Sequence, residues 1–181
     1  MATLIHLNGA PGVGKSTLAE RYVADHQGVL NCDVDRLRCF VGGWADDFAG
    51  SGAIIRPVAL TMIRAHLDGG HDVVLPQLLA NESERDRFRR VAVDAGHDYL
   101  HLLLQAPPGV AAGRFYDRAD DPLHAVIRDH IDADGGGPAI DGLAERLRSV
   151  GATTGAVTVD TGSDIDATYQ AVLSAVRGSR P

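Results

Sequence analysis

Between Gly9 and Ser16 the chain reads G-A-P-G-V-G-K-S, which fits G-x-x-x-x-G-K-[ST] at each fixed position. That spacing suits one task. Glycines let backbone N–H groups turn inward and approach phosphate oxygens with no Cβ in the way. A helix opening at Lys15 would aim its positive dipole end at the same place. The expected nucleotide cradle is therefore Gly9, Ala10, Pro11, Gly12, Val13, Gly14, Lys15, Ser16 and Thr17. Lys15 would reach the β/γ-phosphates, and the Ser16 hydroxyl would offer an oxygen to Mg²⁺. The ligand implied is ATP or GTP.

A second constellation follows in N-C-D-V-D-R-L-R, with carboxylates at Asp33 and Asp35. An extended segment here would put both on one side and turn Val34 away. Beside a Mg²⁺-nucleotide, two carboxylates divide labour: one orders the metal's water shell, the other accepts a proton from a substrate hydroxyl. Asp33 is assigned the first role and Asp35 the second, because Asp35 lies further into the loop. The plain alternative is that the pair caps a short helix.

The elements that must hold these residues are legible as alternating patterns. A-T-L-I-H-L-N is a buried strand running into the glycine loop, with His6 as a core residue. A helix runs from Lys15 to Gly28. Short strands are expected at 29–32, 71–77, 98–105 and 156–161. Between them lie a short helix starting at Val34, a Gly/Asp-rich loop over 42–52, and a helix that either runs from Pro57 to Leu67 or begins earlier and kinks at the proline. A further helix is capped by Asn81, with Glu84 three residues on. Helices also follow Pro108, span 139–150 and start after Asp164. Residues 119–138 are polar and contain a D-A-D-G-G-G-P breaker. Strands alternating with helices mean a parallel sheet covered on both faces, an α/β three-layer sandwich in one domain. Ligands in such sheets bind beyond the carboxyl ends of the strands, where both motifs fall. The closing G-S-R-P reads as a loose end.

The loop and the D-V-D together with the arginines of G-R-F-Y-D-R make the chain resemble the small P-loop kinases. Among these it is similar to chloramphenicol phosphotransferase, shikimate- and gluconate-kinase-like enzymes, zeta-type toxin kinases, tunicamycin-resistance proteins and small actinobacterial ATP-binding proteins of the AAA kind. The resemblance implies a five-stranded parallel sheet, ATP as donor, a small hydroxylated acceptor (an antibiotic or a sugar-like metabolite), and the base at Asp35. It also implies nucleotide contact at Arg114, contact with the transferring phosphoryl group at Arg118, and a lid at about 119–138. One departure stands out. Many relatives end the third strand on an acid that helps hold Mg²⁺; here Pro76 and Gln77 occupy that place. Gln77 would bond substrate or a metal-bound water, and Asp33 would act on the metal through water.

Arg38 and Arg56, with Arg36, fall near the expected acceptor side. Arg56 interrupts an apolar run and asks for a partner or ligand. Trp44 with Phe48 would wall an acceptor pocket or close the core under a loop. Arg85, Arg87, Arg89 and Arg90 read as a solvated helix face. A nucleoside or nucleotide kinase, a toxin-type kinase, and a slow ATP-hydrolysing regulatory switch are the competing readings.

Composition bounds the rest. With 181 residues and a net charge of -7, the chain suits a small-molecule site and disfavours a nucleic-acid polymer partner. Two cysteines make no disulfide framework, no Cys/His cluster suits zinc, and no apolar run would span a membrane, so a cytoplasmic protein is expected.

Overall fold

The computed structural model describes residues 1–119 and 121–179; residues 180–181 of the expected loose end and residue 120 of the expected lid lie outside these. Five parallel strands form one sheet: β1 (Thr3–Asn8), β2 (Leu30–Asn31), β3 (Val73–Leu75), β4 (Asp98–Gln105) and β5 (Val157–Asp160), in the spatial order β2-β3-β1-β4-β5. The helices are α1 (Lys15–Asp25), α2 (Val34–Arg38), α3 (Phe48–Asp68), α4 (Glu82–Val93), α5 (Val110–Tyr116), α6 (Pro122–Ala133), α7 (Gly137–Thr154) and α8 (Ile165–Gly178).

Strand alternation explains the two cores. On β1, Ile5 and Leu7 face a cluster with Leu18 and Tyr22 of α1, Phe115 of α5 and Val172 of α8. Leu4 faces the opposite cluster, with Ile63 and Leu67 of α3 and Phe88 of α4. Both sheet faces are thus covered, as continuous apolar parallel strands require. From β1 the chain crosses over β3 to reach β2, while from β3 it returns past β1 to β4. The carboxyl ends of β1 and β3 therefore flank the switch point, where such sheets bind ligands.

Two expectations need correction. The Gly/Asp loop stops at Asp47, whose side chain accepts from Gly50 N (2.8 Å) and starts α3 nine residues before Pro57. The proline sits inside the helix, and the Thr61 hydroxyl bonds back to the Pro57 carbonyl (3.0 Å). The polar stretch expected as a lid carries a helix that the sequence pattern does not indicate, α6, capped by Asp121 and with Pro122 in its first turn. Among the described residues no helix is long and apolar enough to cross a membrane.

Candidate active site

Helix starts differ in a way that locates the site. Asp33, Asp47, Asn81, Asp121 and Asp164 cap α2, α3, α4, α6 and α8 with side-chain bonds to backbone N–H groups. The start of α1 is Gly14, with φ 93°, no side-chain cap and no acid in its first turn. Helices α5 and α7 also start at glycines without a side-chain cap, so the start of α1 marks an anion site through its glycine turn and Lys15 together with its free dipole end. Gly12 has φ 84°, and a Cβ there would collide with the Ala111 carbonyl, so this turn needs glycine. The Lys15 ammonium donates to the Gly9 and Ala10 carbonyls (2.8 and 2.9 Å). Burial lowers its pKa to about 8, against the attraction of Asp35 and Asp33.

Pro11 to Thr17 line a cavity of about 790 Å³ that continues past Asp33, Asp35, Arg36 and Arg38 to Gln77. The aspartates are not on an extended segment. Asp33 is the N-cap of α2, and Asp35 sits in its first turn with Val34 buried between them. Both still reach the cavity. Asp33 Oδ1 accepts from Asp35 N and Arg36 N, leaving Oδ2 for the Ser16 hydroxyl (3.1 Å). Ser16 and Asp33 thus present hard oxygens side by side, a donor set that fits Mg²⁺. Among the described residues no group of three or more His, Cys, Asp or Glu side chains could hold a metal. The ion would therefore need nucleotide phosphates to complete its shell.

Asp35 is held on two sides. Arg38 lies 3.2 Å from its Oδ1, and the Gln77 side chain is close enough to favour its charged form. Burial pushes its pKa above the ordinary carboxylate range, opposed mainly by Arg38. Arg38 is itself buried, with its guanidinium 3.5 Å from the Phe48 ring centroid. Gly52 leaves the room it needs: a Cβ there would stand 2.9 Å from Arg38 Nη2.

Gln77 is positioned by residues whose part in the site sequence reading missed. His6, fully buried, bonds through Nε2 to the Gln77 carbonyl (2.8 Å). A carbonyl only accepts, so Nε2 carries the proton and Nδ1 accepts from the Tyr99 hydroxyl (2.8 Å). Asn8 Oδ1 accepts from Gly9 N and Leu79 N, while Nδ2 donates to the Leu79 carbonyl and His101 Nε2. One amide therefore ties the phosphate loop to the chain after β3. The available signal was the polar alternation of His6 and Asn8 along an otherwise apolar strand.

Other assignments shift. Arg114 lines the cavity, but its guanidinium bonds the Thr161 and Ser163 carbonyls (2.6 and 3.2 Å), holding the loop between β5 and α8. Arg118 lies beyond the end of α5 rather than on its face, 3.4 Å from Asp121, and it too lines the cavity. Trp44 and Arg56 are not among the cavity's lining residues, whereas Phe48 is. The charge of Arg56 is met by Glu84 at 3.6 Å across α3 and α4. Arg85 is buried beneath the site, not on a solvated face, while Arg87, Arg89 and Arg90 pair with Glu84 and Asp86 at the surface.

A phosphate loop between the first strand and helix of an all-parallel β2-β3-β1-β4-β5 sheet gives the chain the P-loop kinase fold. Residues 4–133 match the model of an AAA domain family, and the chain belongs to that family. Its fold is similar to that of a gluconokinase from Sinorhizobium meliloti 1021, with TM-score 0.65, 18% identity, and 98% of this chain and 92% of that one covered. It is also similar to a tunicamycin resistance protein from Deinococcus radiodurans, with TM-score 0.61, 18% identity, and 98% and 95% covered. No curated protein matches the chain.

Proposed function

We propose that the protein is an ATP-dependent phosphotransferase that moves the γ-phosphate to a hydroxyl of a small molecule. The observation that carries this is Asp35: a carboxylate with a raised pKa, in the same cavity as the phosphate loop, near Lys15 and oriented by Arg38 and Gln77. A base of this kind suits removal of an alcohol proton during phosphoryl transfer. The acceptor oxygen attacks the γ-phosphorus, and its proton passes to the Asp35 carboxylate. The bond from the γ-phosphorus to the β–γ bridging oxygen breaks, and its electron pair leaves with ADP. Lys15 and the loop amides hold the donor, and Ser16 with Asp33 would hold Mg²⁺, which supplies charge neutralisation between the β- and γ-phosphates. Arg118, on the cavity wall, steadies charge on the transferring group, and α6 excludes water as a lid.

The test is mass spectrometry of the protein incubated with Mg²⁺-ATP and pooled hydroxyl compounds, with Asp35→Asn in parallel. A compound gaining one phosphoryl group, absent with the variant, is the expected result. ATP consumed equally by both proteins with no modified compound would overturn the proposal.

A further inference from the structure

The half of the cavity beyond Asp35 has a chemical character of its own. Helix α6 lies near the end of α2 and the start of α3: its cap Asp121 is within electrostatic reach of Arg36 and Cys39, and His130 meets the Phe48 ring at 4.9 Å between centroids. Leu123, Ile127 and Ile131 fall four residues apart along α6 and line the cavity. Phe48 and Leu78 line it as well. Each of these five side chains is only partly buried. Ile127 and Ile131 also pack against the hydrophobic core, and what the five leave uncovered lines the cavity that contains the base.

We infer that the acceptor is an alcohol on an apolar body, aromatic or branched aliphatic, and that polyhydroxylated compounds such as sugars are poor acceptors. This rests on the phosphotransferase reading. A polyol entering this space would leave most of its hydroxyls against Phe48, Leu78 and the α6 stripe, which offer no hydrogen-bond partner. Each hydroxyl desolvated in that way opposes binding. An apolar body gains from the same contact. At Asp35 the cavity is polar: Arg38 Nη2 pairs with Asp35, while Arg38 Nε and Nη1 and Gln77 Oε1 are buried without a hydrogen-bond partner among the described residues. These few atoms suit one or two polar groups next to Asp35 and leave the rest of the acceptor to the apolar side chains. Specificity for an apolar body would reside in α6, and Ile127, the middle residue of its stripe, is a specificity-determining position.

Two readouts separate this inference from the reading it rests on. The first is ligand-observed NMR on the full chain with Mg²⁺ and a non-hydrolysable ATP analogue. One pool holds 2-phenylethanol, 1-phenyl-1,2-ethanediol and 2-ethyl-1,3-hexanediol; the other holds glycerol, gluconate and myo-inositol. The second is phosphoryl transfer from Mg²⁺-ATP to the same compounds, with wild type, Ile127→Asn and Ile127→Leu. The expected result is saturable binding confined to the apolar pool. Where transfer occurs, kcat/KM should favour that pool by about tenfold or more. Ile127→Asn should raise KM for it several-fold, and Ile127→Leu should restore it. Binding of the apolar pool without transfer would sustain the inference while removing the phosphotransferase reading. Preference for the polyols, no binding from either pool, or equal behaviour of Ile127→Asn and wild type would overturn the inference.

Discussion

The two halves of the cavity are built from different materials. The phosphate side is mostly backbone: a glycine turn, an uncapped helix start and one lysine, contiguous over Pro11–Thr17. The acceptor side is side chains drawn from α2, α3, α6 and the segment after β3, resting on His6 and Asn8. A backbone-built site fixes ligand class and tolerates few substitutions. A side-chain-built site leaves substrate choice to a handful of positions on elements far apart in sequence.

The largest break is expected on the backbone side. Lys15→Met should lower ATP-dependent transfer roughly 10²–10³-fold, read as kcat/KM for ATP, because the donor loses its charge partner in a water-poor site. Gly12→Ala is the structural counterpart. With φ 84° and the Ala111 carbonyl in the way, it should destabilise the fold by about 3 kcal/mol and lower Tm by roughly 6–12 °C, read by thermal unfolding. A stable Gly12→Ala protein with intact nucleotide binding would refute the turn as described.

The acceptor side should fail first in acid. His6 and His101 are stacked at 5.0 Å, and burial lowers their pKa values to about 3 and about 4 from 6.5. Both folded values lie below the unfolded one, so the unfolded chain binds more protons in that window. Their contribution is present above about pH 6.5 and is lost as pH falls towards 4 and then 3. Each costs up to about 1.4 kcal/mol per pH unit there, or roughly 2 kcal/mol together by pH 5.5. Thermal unfolding between pH 7 and 5 reads it, and a flat Tm across that range would contradict the buried neutral pair.

A gentler test uses both halves at once. Asp35 must be unprotonated, so kcat/KM should rise with pH through a value above the ordinary aspartate range. Lys15 loses its charge above about pH 8, so kcat/KM should fall again there, by about tenfold per unit on each limb. A pH–rate profile with no alkaline limb would show that Lys15 keeps its charge in the free protein.

The same contrast explains how much could be read from the sequence. The strand order of elements and the phosphate loop were legible because both are local patterns: alternation, capping residues and fixed glycine spacing. The place of Asp33 and Asp35 beside the phosphate loop was legible from their position after β2, but their geometry was not, because α2 begins at Val34, between them. Trp44 and Arg56 fall outside the cavity's lining because sequence proximity to the site does not say which way the turn before α3 or the face of α3 points. Arg85 was read as solvated although its helix buries it, and Asn8 was read only as the end of a buried strand, not as the amide that joins two loops. The apolar stripe of α6 hid inside a stretch whose Asp, His and Gly content dominates its composition.

The role of Asp35 is tested most directly by single-turnover phosphoryl transfer to an acceptor found in the panel, comparing wild type with Asp35→Asn. Mg²⁺-ATP affinity is measured on the same samples. Asparagine keeps the shape and a hydrogen-bonding oxygen for Arg38 while removing the base. The expected result is a transfer rate lower by about 10²-fold with ATP affinity changed by less than about threefold. Equal transfer rates, or a loss explained entirely by weaker ATP binding, would contradict it.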